Sequence, residues 1–145
     1  MPKLNLAAAV TITEHALAHA KAQSMNPMTV AVLDAGGHLL AFQRQDKSGI
    51  LRPQIAIGKA WGVLGMGIGG RDLAKRAESH PVFFGALAAA SEGRIFPVAG
   101  GVLVRDADGE VLGAVGISGD LPPHDEACAI AGIAAAGLTA DAGSA

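Results

Sequence analysis

With 145 residues, 50% of them hydrophobic and 17% charged, the chain is long enough to bury one core and too short to suggest two. A formal net charge of −2, basic clustering confined to 71–76, and aromatics limited to four Phe and one Trp argue against nucleic-acid recognition by charge or stacking. The single Cys128 excludes an internal disulfide, no signal-like apolar segment opens the chain, and no apolar run reaches the roughly eighteen residues of a membrane span, so a cytoplasmic protein with no membrane partner is expected.

Leu6, Ala9, Val10, Thr13, Ala16, Leu17 and Ala20 follow helical spacing, with Asn5 as the cap. Thr29 to Asp34 and His38 to Arg44 read as strands joined by a glycine turn, and Gln45 to Gly49 as a polar loop. Pro53 suits a helix start, after which Ala56, Ala60, Val63 and Leu64 form a stripe that the glycines from 62 to 70 weaken and end. Short helices follow near Arg71 to Glu78 and around Phe83, Phe84, Leu87 and Ala88. Gly100 to Asp106 and Glu110 to Ser118 form a second hairpin, a helix runs from Pro122 or Pro123 to about Gly137, and 136–145 read as a flexible tail.

VAVLDAGGHLL (Val30 to Leu40) and VLVRDADGEVL (Val102 to Leu112) share the same hairpin chemistry, Asp34 and Gly37 matching Asp106 and Gly109. The fold expected is α+β: a single-layer, mainly antiparallel sheet flanked by helices, two hairpins in a profilin- or PAS-like arrangement. A mean hydropathy of +0.37 leaves apolar surface to cover, which favours a homo-oligomer.

Chemistry-bearing residues are few. Gly65, Gly67 and Gly70 satisfy the dinucleotide glycine pattern, but they follow a helical segment, so helix exit and close packing is the better reading. His15 and His19 lie one turn apart, a spacing able to hold a metal or haem iron, though off the apolar stripe. Arg52 and Lys59 lie two turns apart, an arginine fork and a point charge able to clamp a carboxylate or a haem propionate. His80 before Pro81 reads as a helix entrance, and Cys128 as a small packing residue.

In GISGDLPPHDEACAIAG (Gly116 to Gly132), Asp120 and Asp125 read as helix-start residues, Asp120 capping amides and Asp125 complementing the dipole. Ile130, Ile133, Ala134, Gly137 and Leu138 define a stripe that extends back to Glu126, turning Asp125 about 100° away. An inward Glu126 needs a cation, and Lys59 or Arg52 is the expected partner.

VAVLDAGGHLLAFQR, IAIGKAWG, PVAGGVLVRDADGEVLGAVGISGD and DEACAIAGIAAAGL, in that order, resemble the GlcG/HbpS-like haem-binding family, which includes the C-terminal domain of PduO proteins. The resemblance spans about Leu6 to Leu138. It implies helices around an antiparallel sheet, assembly as dimers to octamers, haem binding in some members, and in at least one a lyase acting on para-hydroxylaminobenzoate. It places the family's lysine helix at Lys59, its acidic helix start at Asp125 and Glu126, and a basic residue after the second strand at Arg44.

Three functions follow as expectations. The first is a small-ligand protein holding haem or an aromatic carboxylate between helices, with Arg52, Lys59 and Arg44 as ligand residues and His15 or His19 as axial candidates. The second is a cofactor-independent lyase or isomerase in aromatic catabolism, with Glu126, Asp125 and Lys59 catalytic. The third is a structural or interaction protein whose acidic helix start only caps.

Overall fold

The computed structural model describes residues 3–144. Helix α1 (Leu6–Ala22) begins where the Asn5 side chain accepts from the Ala8 N–H at 2.9 Å, satisfying one amide of the first turn. Its buried face is Ala9, Ile12, Thr13, Ala16 and Ala20, while Leu6 and Val10, expected on the stripe, are exposed.

Strands β1 (Thr29–Asp34) and β2 (Leu39–Arg44) form the first hairpin, and β3 (Gly101–Arg105) and β4 (Val111–Ser118) the second. The two turns are built alike. Asp34 Oδ1 accepts the backbone N–H groups of Gly36 and His38, and Asp106 Oδ1 those of Asp108 and Glu110. Gly37 and Gly109 take φ of 82° and 86°. Even the irregularities coincide, with the register shifting after Val32 in one hairpin and after Val104 in the other. The hairpins lie side by side through an antiparallel β1–β4 pairing.

The C-terminal segment departs from expectation. Instead of a loose tail from 136 onward, Thr139–Asp141 form β5, which pairs antiparallel with β3 and completes a sheet of order β2-β1-β4-β3-β5. Leu138 and Ala142 are buried beside it, and Arg105 Nε donates to Asp141 at 2.9 Å, so an otherwise open edge of β3 is paired. Ala145 lies outside the described residues.

Strand alternation divides the core. Val30, Val32, Val102, Val104, Val115 and Ile117 face α1 and α5 (Pro122–Ala135). Leu33, Leu103 and Ala114 face α2 (Arg52–Met66), α3 (Gly70–Ser79) and α4 (Pro81–Ala90). Helix α2 runs through Gly62 and Gly65 and ends at Gly67, which is left-handed with φ 69°. It lies unusually close to the sheet: a Cβ at Gly116 would collide with the Ala56 carbonyl. The glycine pattern thus sits between two helices, where it serves packing and helix exit. Among the described residues no helix is long and apolar enough to cross a membrane.

Candidate functional site

The polar residues converge where β4 ends, β3 begins, and the first turns of α2 and α5 approach from opposite faces of the sheet. Lys59, two turns into α2, is 3% exposed; its Nζ donates at 2.9 Å to the Ile117 carbonyl and at 2.9 Å to Asp125 Oδ2, itself 1% exposed. The other oxygen, Asp125 Oδ1, accepts the Asp120 N–H at 2.9 Å. The ammonium passes hard against Gly100, whose φ of +120° and lack of a side chain leave it room; a Cβ there would lie 2.7 Å from Nζ.

Burial acts on both partners. It pushes the Lys59 ammonium below its ordinary range and the Asp125 carboxyl above its own, while their mutual attraction opposes both shifts. The result is a buried acid–base pair joined by one hydrogen bond, in which burial and mutual attraction pull against each other. Above it, half-buried Arg52 gives one donor to Ser118 Oγ at 3.0 Å. Ser118 is the register partner of Thr29, whose hydroxyl meets Ser48 Oγ at 2.7 Å. Arg44, exposed at the end of β2, donates to the Ser48 carbonyl at 2.9 Å. Exposed Ile50, Leu51 and Leu121 stand at the starts of α2 and α5.

The pairing differs from the one expected. Glu126 is buried at the helix start, but its partner is neither Lys59 nor Arg52: Arg71 Nε reaches both carboxylate oxygens at 2.9 Å and Nη2 reaches Oε1. Asp125, expected to point away, takes Lys59. The buried residues of α5 are Asp125, Glu126, Cys128, Ala129, Gly132 and Ile133, so Glu126 does face inward as expected, but the buried face is wide enough to take in Asp125 as well, while Ala134 and Gly137 are exposed. Asp120 likewise caps no α5 amide in the ordinary way. It accepts from Asn26 N–H, Leu121 N–H and His124 Nδ1, tying the α1–β1 loop to the turn before α5.

Arg71 carried no signal as a partner in sequence, because it lies 55 positions from Glu126. For Asp125 a signal existed: the small residues Cys128, Ala129 and Gly132 recur three, four and seven positions after it, the spacing of a tightly packed face. Cys128 is buried packing, 3.5 Å from the Met25 sulfur, and burial pushes its thiol up to about 12.

His15 and His19 are not part of this constellation. They lie on α1, across the sheet from α2, with His15 exposed and His19 half-buried. His15 Nδ1 lies 2.9 Å from the Thr11 carbonyl. Among the described residues no group of three or more His, Cys, Asp or Glu side chains is arranged to hold a metal ion.

Of the solved structures, the complex of PduOC with heme is 24% identical and superposes with a TM-score of 0.84, over 94% of this chain and 97% of its own, a likeness of fold. Klebsiella pneumoniae ORFY is 25% identical with a TM-score of 0.83, covering 94% of this chain and 92% of its own. HbpS is 27% identical with a TM-score of 0.78, covering 92% and 90%. No curated protein matches the chain. The family described as "Haem degrading protein HbpS-like" matches residues 4–134, and this chain belongs to it.

Proposed function

We propose that this protein binds haem through His15 on α1. The observation that carries the reading is the imidazole contact with Thr11. A carbonyl only accepts, so Nδ1 is the donor in this contact, and in the neutral ring Nε2 is then the nitrogen that keeps its lone pair, the tautomer that ligates iron. Around it at helical spacing stand Ala8, Thr11, Ala18 and Ala22, side chains small enough for a flat macrocycle to lie close. His19, one turn on, is the second candidate nitrogen. When bound, haem would supply a redox-active iron; the chain's own contribution is to orient the imidazole and present an alanine face. The family description and the solved complex of a similar fold support this choice of ligand.

Haemin titration should give a saturable Soret shift that is lost in His15→Ala and kept in His80→Ala. An unchanged spectrum in the His15→Ala/His19→Ala double variant sinks the reading. Exposed Ile50, Leu51, Val82 and Leu121 support a homo-oligomer, and a cytoplasmic location goes with the same reading.

A second reading, a cofactor-independent lyase or isomerase acting on a carboxylate substrate, is favoured by the Lys59–Asp125 pair. A buried acid and base held 2.9 Å apart, each shifted by burial against its charged form, is an arrangement suited to proton transfer. Arg52, which uses one of its donors on Ser118, retains others for a carboxylate, and Arg44 stands at the same end of the sheet. Asp125 takes the catalytic place here, since both oxygens of Glu126 are occupied by Arg71. In this version turnover of para-hydroxylaminobenzoate collapses in Asp125→Asn and survives in Glu126→Gln; equal loss in both variants would overturn the assignment.

A further inference from the structure

A cleft of about 480 Å³ opens on the far side of α2, where Met66 meets Arg76 of α3, His80 of the α3–α4 junction, and Phe83 and Phe84 of α4. It shares no residue with either site above. Its volume is in the range of small-molecule sites, about 300–1,000 Å³. Phe84 is buried and holds Phe83 edge-on, ring centroids 5.6 Å apart, while Phe83 itself stays 54% exposed. Of α4, only Phe84 is fully buried, so this helix presents an aromatic wall to the cleft while little of it is spent on the core.

The polar rim is Arg76 and His80, of which Arg76 is the charged member. Arg76 is exposed, and neither its guanidinium nor the His80 ring makes a hydrogen bond or ion pair among the described residues, although the other five arginines are all engaged. An unengaged arginine fork beside an exposed phenyl face and a methionine matches one ligand chemistry. Two oxygens in a plane meet the fork, and a flat apolar body packs edge-to-face on Phe83 and against the thioether.

We infer that this cleft is a binding site for a small aromatic monocarboxylate, anchored by Arg76 and walled by Phe83, Phe84 and Met66. The nearest reporter is the Met66 methyl group, which is one of four methionines and assignable by Met66→Leu. Titration of the full chain with benzoate, followed by methionine-methyl NMR, should shift the Met66 signal saturably. Arg76→Gln should weaken the apparent affinity at least about tenfold, the weight of one charge-assisted pair, and Phe83→Ala should weaken it as well. Benzyl alcohol, with the same ring and no charge, should leave Met66 unmoved. His15→Ala should bind benzoate like the parent, which separates this site from the haem reading.

The inference is overturned by no Met66 shift up to about 10 mM benzoate, by equal affinity in Arg76→Gln, or by an equal response to benzyl alcohol. A Met66 signal that follows protein concentration and ignores benzoate makes the cleft a contact between copies of the chain, and also overturns it.

Discussion

Asp125 and Glu126 are adjacent in sequence and both buried, yet they are held in opposite ways. Asp125 meets Lys59 inside the molecule, with both side chains at or below 3% exposure; Glu126 meets Arg71 at its margin, where the arginine side chain is 41% exposed. Helical geometry separates the two carboxylates by about 100°, and that turn is enough to send one through the end of the sheet and the other along its rim. The comparison teaches that ion pairs of similar length carry different energetic weight, because water is excluded from one cation and reaches the other.

The strongest way to break the comparison is to orphan the inner carboxylate. Lys59→Met leaves Asp125 buried with only the Asp120 N–H, and thermal or urea unfolding should show a loss of about 3–5 kcal/mol. Lys59→Met/Asp125→Leu should recover much of that loss, since an apolar pair of similar volume restores packing without a lone charge. If the single variant melts within about 1 kcal/mol of the parent, the pair is not dry and the contrast fails.

The outer pair predicts a smaller effect. Glu126→Gln keeps the shape and an acceptor for Arg71 but removes the charge, so the expected loss is about 1 kcal/mol by the same melts, and it should shrink at high salt. A loss as large as that of Lys59→Met would mean that Arg71 is effectively buried.

The same contrast explains what could be read in advance. The two hairpins were legible because their information is local: alternating apolar residues, an aspartate accepting its own turn's amides, and a glycine at the same place in each copy. The helices were legible for the same reason, down to the Asn5 cap. What could not be read was set by distant partners. Strand β5 is three residues long in a run of small side chains, and it exists because β3 offers an edge and Arg105 offers Asp141 a cation. Lys59 chooses its partner 66 positions away, and Asp125 reaches it because the buried face of α5 takes in Cys128, Ala129 and Gly132 as well as Glu126, a width that the larger Ile130 and Leu138 do not reveal.

The smallest expected effect sharpens the comparison by adding a third carboxylate at the same helix start. Asp120 remains at the rim, and backbone N–H groups from Asn26 and Leu121, with the His124 ring after them, hold its carboxyl down to about 2 from an ordinary 3.8. Asp125, five residues on, moves the other way because burial outweighs its donors. A carboxyl lowered in the folded state adds stability that is fully present above its unfolded value of 3.8 and is lost as the pH falls through the folded value near 2. Acid should therefore loosen the Asn26 loop in that window, and Asp120→Asn should flatten the fall in melting temperature there while leaving the neutral-pH slope alone. Carboxyl-carbon NMR should find Asp120 titrating near 2, and titration at the ordinary value would remove the donors from the account. With both aspartates measured, opposite displacements would show hydrogen-bond donors governing the carboxylate at the rim and desolvation governing the one inside.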